Sequence, residues 1–276
     1  MHDTANGQGV TLRIVDDVNR SADCRFSNLL GRLIVRRPPG LGVPGFRSLD
    51  DPRQSDISGG SGRSIRSVHA GDRRRVLLAV ARVWAYPLWH GVKRAKAADV
   101  VAQDVDWWIR CLDDPELLAL EQYPRFAYLA GALTEFRTLV HYRLRTGPMV
   151  LRLLLRAVYR PAAFLTLEAD RIGPALFIQH GMATIIDAES IGSHCWINQQ
   201  VTIGYTATGR PTLGDRVRVG AGAMVVGPIT LHDGATVGVN ATVMHDVGPD
   251  ETVVAPLATP LRRTRGSGTS ETAPTG

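Results

Sequence analysis

The sequence predicts an α+β chain: an N-terminal helical domain followed by a left-handed parallel β-helix of hexapeptide repeats. Three observations predict it. Branched aliphatics recur every six residues along the C-terminal half. The residue after each of them is often glycine. Upstream, apolar residues recur instead at three and four, the period of an α-helix.

Counting by six from Ile191 meets Ile197 and Ile203. After residues 204–212 the count resumes at Leu213, Val219, Val225, Leu231, Val237 and Val243. Gly192, Gly204, Gly214, Gly220 and Gly238 follow these positions directly. Four residues after a hit stands a second small or branched residue: Cys195, Val201, Val217, Ala223, Ala235, Ala241. Each hexad is read as a short strand and a turn, and three hexads as one triangular coil of about eighteen residues, stacked as in any solenoid. Glycine is expected to supply backbone angles that other residues adopt only with strain. Ile172 and Ile178 extend the pattern backwards, with a slip at residues 180–182 before Ile185 restores it. An antiparallel sandwich also alternates, but it does not hold phase over six hexads without hairpin turns.

The helical part is read as residues 73–165. Val76, Leu77, Val80, Val83 and Trp84 form one face of a first helix, and a second runs over about 97–112. Asp114 caps a new start with Pro115 at the first helical position. Residues 126–144 carry Leu129, Leu133, Phe136, Leu139 and Val140 on one side, and 149–159 form a further helix. Residues 1–72 are rich in Pro, Gly, Ser and Arg and are read as a basic, largely disordered segment. The β-helix spans 166–258, and 259–276 is a flexible tail.

The net charge of +6 is concentrated in arginines of the N-terminal third. No helix-turn-helix, zinc-finger or RNA-binding signature accompanies it, so nucleic acid is not an expected partner. Cys24, Cys111 and Cys195 are odd in number and form no CxxC pair, which argues against a disulfide framework and a zinc site. No signal-peptide layout is present, and the charge-free run 190–209 is too polar to read as a membrane span. A cytoplasmic protein without a transmembrane segment is expected.

The run 176–181 (Leu-Phe-Ile-Gln-His-Gly), followed by 191–204 and the coils at 219–223 and 225–229, resembles the serine O-acetyltransferase family of hexapeptide transferases. Thr134-Glu135-Phe136-Arg137 with His141-Tyr142-Arg143 resembles a helical segment of one branch of that family. The resemblance covers about residues 134–254. It implies transfer of acetyl from acetyl-CoA, the co-substrate, to the hydroxyl of serine, the first step toward cysteine. It also implies a homotrimer or a dimer of trimers, with sites between neighbouring β-helices. No metal is expected.

The same resemblance assigns candidate site residues. His180 falls where the family has its catalytic histidine, and it sits at the slip in register. An imidazole titrating near neutral pH suits removal of a hydroxyl proton. The family's orienting acid stands fifteen residues before the histidine, where this chain has Leu165. Glu168, with Asp170 and Asp187 as alternatives, is the expected substitute. Gln179 replaces an acid just before the histidine, and Arg210 stands where the family has Arg-His; both are expected to touch substrate. Gly204, Ala221 and Gly222 are expected where the pantetheine arm approaches, with their backbone N–H groups facing the oxyanion. Arg216, Arg218, Arg262 and Arg263 are candidates for its phosphates. The family's terminal Gly-x-Pro-Ala-Arg run is absent, residues 255–259 reading Ala-Pro-Leu-Ala-Thr. His194, His232 and His245 are expected to face outward. Two alternatives stand beside serine acetylation: acetyl transfer to a sugar or other small hydroxyl, motivated by Gln179 and the missing loop histidine, and a non-enzymatic trimeric scaffold.

Overall fold

The computed structural model describes residues 64–260. The expectations for residues 1–63, for the tail beyond 260 and for Arg262 and Arg263 fall outside them. Six α-helices come first among the described residues: α1 (Ser64–Arg94), α2 (Ala98–Leu112), α3 (Pro115–Leu118), α4 (Gln122–Ala132), α5 (Thr134–Arg143) and α6 (Met149–Val158). The start of α1 at Ser64 places residues 64–72 in a helix, inside the segment expected to be irregular. Those residues contain no proline, and extending an existing helix costs far less than nucleating one.

The buried face of α1 differs from the expected one. Val76, Val80 and Val83 are exposed, whereas Ala81, Ala85, Leu88 and Val92 are buried. Both sets have helical spacing. The small side chains win because they let α4 come close: a Cβ on Gly131 would meet that of Ala81 at 3.6 Å. At α3, Oδ1 of Asp114 accepts from the backbone N–H groups of Glu116 (3.0 Å) and Leu117 (3.3 Å), the expected cap. The segment expected as one helix over 126–144 is two, broken at Leu133, whose backbone is extended.

The remaining chain is the expected parallel β-helix. Its strands are β1 (Leu165–Ile172), β2 (Phe177–Ile178), β3 (Thr184–Ile191), β4 (Trp196–Ile197), β5 (Thr202–Gly204), β6 (Thr212–Leu213), β7 (Arg218–Val219), β8 (Met224–Val226), β9 (Thr230–Leu231), β10 (Thr236–Val237), β11 (Thr242–Val243) and β12 (Thr252–Val253). Every strand pair is parallel, and the aliphatics stack in three columns. One runs Ile172, Ile191, Leu213, Leu231. A second runs Ile178, Ile197, Val219, Val237, Val253. The third runs Leu167, Ile186, Ile203, Val225, Val243. All nine residues of the hexad count are buried. Burying a branched aliphatic contributes about 1.5–3 kcal/mol relative to exposure, so the columns carry most of the solenoid's stability.

Two details depart from the sequence reading. Ile186, not Ile185, restores the inward pattern after the slip; Ile185 is exposed. β3 is long enough to round a corner, its start pairing with β5 and its end with β6. Nor does the glycine after each aliphatic supply unusual backbone angles. The left-handed residues sit further on, at His194, Gln200, Arg216, Gly222, Asn240 and Asp250. The glycine is there for space: a Cβ at Gly220 would lie 2.8 Å from the backbone nitrogen of Val239 on the next coil.

A buried polar joint ties the helices to the first coil. Arg143 donates from Nε to Asp104 Oδ2 (2.9 Å) and from Nη1 to the carbonyl of Ile172 (2.6 Å). Asp104 Oδ1 accepts from the N–H of Ala175 (2.8 Å), and Trp108 Nε1 donates to the carbonyl of Leu176 (2.6 Å). These bonds hold α2 and α5 against the strand that leads to residue 180.

Candidate active site

Most inward residues follow one another along the chain by six; Ile203 gives way to Leu213 ten residues on, at the loop of Arg210, and Ile178 gives way to Ile186 eight residues on. The extra residues form a turn that leaves the wall. His180 (φ 63°), Gly181 (φ 26°) and Ala183 (φ 52°) all take left-handed backbone there. His180 is exposed while Gly181 beneath it is buried. The side chain before it is anchored: Trp196 Nε1 donates to Gln179 Oε1 (3.2 Å), and the indole packs edge-on against Phe177 at 4.9 Å.

The expected acid, Glu168, is exposed on β1 and lies in register with Asp187 of β3. Arg210 joins the same patch. Its Nη2 donates to Asp170 Oδ2 (2.6 Å) and its Nη1 to Asp187 Oδ1 (3.4 Å). The hydrogen bonds it donates to these two carboxylates raise the guanidinium's pKa further and keep it charged. Two groups therefore emerge. One is His180 with Gln179 at the turn, and the other is Arg210 with Asp170, Asp187 and Glu168 along the β1–β3 face. The loop carrying Arg210 is tight, with Thr206 N–H donating to Gly209 O at 2.9 Å.

Gly204 differs from the other post-aliphatic glycines. A Cβ there would meet only Thr202 Cγ2, at 3.7 Å, so packing does not require glycine. Gly222 is a corner glycine with φ 71°, and its N–H donates to the carbonyl of Gln199 (3.1 Å). That donor is spent on the coil, which corrects the expectation that it faces an oxyanion. Ala221 is half-buried beside it, with its carbonyl accepting from Asn240 N–H at 2.9 Å. Arg216 and Arg218 are exposed. His194, His232 and His245 are all exposed as expected, and His194 also packs edge-on against Trp107 with ring centroids 5.0 Å apart. Among the described residues no three His, Cys, Asp or Glu side chains gather as a metal site. No described helix is long and apolar enough to cross a membrane.

The sequence reading singled out Glu135 only as part of a helical resemblance. In the structure its Cγ lies 2.6 Å from where a Cβ on Gly181 would be, and Leu165 Cδ2 lies 3.3 Å from the same point. Spacing along the chain gives no signal for this contact, because α5 reaches the turn only through the fold.

The parallel β-helix of stacked hexad coils places the chain in the hexapeptide-repeat class. The serine acetyltransferase of Helicobacter pylori is 38% identical over 121 residues, which are 41% of this chain and 71% of that protein. The chain belongs to the serine acetyltransferase family. The serine acetyltransferase of Synechococcus elongatus is 43% identical over 89 residues, 30% of this chain and 36% of that one. Among solved structures, the Neisseria gonorrhoeae serine acetyltransferase in complex with serine superposes with a TM-score of 0.49 at 22% identity, over 70% of this chain and 90% of that one. No family model matches the sequence.

Proposed function

We propose that the chain transfers the acetyl group of acetyl-CoA to the hydroxyl of L-serine, giving O-acetylserine for cysteine biosynthesis. The observation that carries this reading is the eight-residue step from Ile178 to Ile186, which puts His180 outside the wall. A ring nitrogen of His180 takes the proton of the serine hydroxyl as its oxygen attacks the thioester carbonyl. The tetrahedral intermediate collapses, the C–S bond breaks, and the imidazolium returns the proton to the departing thiolate. The products are O-acetylserine and CoA.

The open space at Gly204 supports the approach of the pantetheine arm there. Arg216 and Arg218 are exposed and are the β-helix cations we assign to the CoA phosphates. An assembly of three chains, or two such trimers, brings a second β-helix to the exposed turn. The outward Ile185 and Met224, which share one strand stack through Thr202, supply an apolar surface for it. Closed symmetry is the norm for such assemblies.

A second reading, transfer to a sugar or another small hydroxyl, is favoured by one observation. Arg210 is already paired with Asp170 and Asp187, and Gln179 with Trp196, so both expected serine contacts have partners within the chain. Incubation with acetyl-CoA and L-serine, followed by mass spectrometry, tests the first reading. O-Acetylserine accumulating with free CoA supports it. No turnover of millimolar serine, with turnover of a sugar, replaces it with the second.

A further inference from the structure

We infer that Glu135 is the positioning carboxylate of the site, holding the imidazole of His180 in the place expected of Glu168. The inference rests on the reading of His180 as the base. Its ground is the crowding around Gly181, the residue next to that histidine. A Cβ added to Gly181 would lie 2.6 Å from Glu135 Cγ and 3.3 Å from Leu165 Cδ2. Adding one C–C bond of about 1.5 Å puts Glu135 Cγ within about 4 Å of the Gly181 Cα, and the His180 Cα is about 3.8 Å further along the backbone. The Glu135 carboxylate and the His180 imidazole therefore spring from neighbouring points.

Leu165 marks the same place. It stands where the resembling family carries its acid, and its side chain does reach Gly181. This chain has an apolar residue there and brings a carboxylate to the same spot from another element. Glu168 is poorly placed to do so. It lies three residues along β1, about 10 Å, and strand alternation turns it to the face opposite the buried Leu165.

The local structure orients Glu135. It is in the first turn of α5, where the helix N-terminus favours an anion. The hydroxyl of Thr134 donates to its Oε2 at 3.2 Å, and Oε1 is the oxygen we assign to the imidazole. Arg137, two residues on, interacts electrostatically with Glu135 but is itself turned toward the ring of Trp84. The joint of Arg143 with Asp104 holds the far end of α5 against β1. Glycine at 181 is needed for this contact, since any Cβ there would push Glu135 away.

The test is the pH dependence of kcat/KM for CoA release in four full-length variants: Glu135→Gln, Glu135→Asp, Glu168→Gln and His180→Ala. Removing the anion makes the imidazolium less stable, so Glu135→Gln is expected to move the acidic limb to lower pH and to cut kcat ~100-fold, within the range for acid–base groups. Glu135→Asp is expected to recover part of both, and Glu168→Gln to leave both within about twofold. Circular dichroism and Tm verify folding of each. If His180→Ala is nearly inactive while Glu135→Gln keeps the wild-type profile, or if Glu168→Gln makes the shift, the assignment of Glu135 is overturned and the reading of His180 stands. If His180→Ala is as active as wild type, the reading of His180 itself fails.

Discussion

Arg143 closes on Asp104 with two hydrogen bonds, Nε to Oδ2 at 2.9 Å and Nη2 to Oδ1 at 3.1 Å, both side chains almost wholly buried. The pair sits between the helices and the first coil, and its spare donors reach the carbonyls of Ile172 and Gly173. Asp104→Ala strands a buried cation and is expected to destabilise the fold by about 3–5 kcal/mol. Chemical denaturation measures this. Asp104→Asn, which keeps an acceptor for the Ala175 N–H, is expected to cost less.

Two glycines in equivalent repeat positions should answer differently to the same change. Gly220→Ala drives a Cβ into the backbone of Gly238 and Val239, and is expected to lower Tm markedly. Gly204→Ala meets only Thr202 at 3.7 Å and is expected to leave Tm unchanged while raising KM for acetyl-CoA several-fold. Thermal melts and steady-state kinetics on the two variants check the contrast.

The corner carboxylates link one coil to the next. Asp215 accepts from the N–H of Ser193 at 2.7 Å, and Asp233 from the N–H of Asp215 at 2.8 Å. The hydrogen bonds from Ser193 hold the Asp215 carboxyl below its ordinary value of 3.8. A depressed acid stabilises the fold above that ordinary value, and the gain is lost as pH falls through the folded one. Asp215→Asn is therefore expected to lower Tm at neutral pH, with the gap to wild type closing below pH 3.8 in scanning calorimetry.

Burial pushes the thiols of Cys111 and Cys195 up to about 12. Neither thiolate forms near pH 8, and both side chains are enclosed. A disulfide reagent at pH 8 is expected to leave both unmodified in the native chain and to label both in denaturant, as peptide mapping will read. Thiol detection of released CoA is then free of background from these two residues.

Much of the β-helix was legible because its constraint is one-dimensional. Each aliphatic must lie over its equivalent a coil away, so Ile197, Val219 and Val237 announce themselves by spacing. The reason for the glycines was not legible: close approach of the next coil and a left-handed corner both favour glycine, and only coordinates separate Gly220 from Gly222. On α1 two faces shared helical spacing, and the choice of Ala81 and Ala85 over Val76, Val80 and Val83 depends on how near α4 comes. The turn that carries His180 was legible through its register slip. Glu135 was not, since it is 45 residues from His180 in sequence and meets Gly181 only when α5 docks on β1.

The account stands on the imidazole at position 180. Steady-state release of CoA from acetyl-CoA with L-serine, compared between wild type and His180→Ala at equal folded concentration, tests it most directly. A fall in kcat of about 10²–10⁴-fold with Tm unchanged is the predicted result. A variant that turns over within twofold of wild type would contradict it.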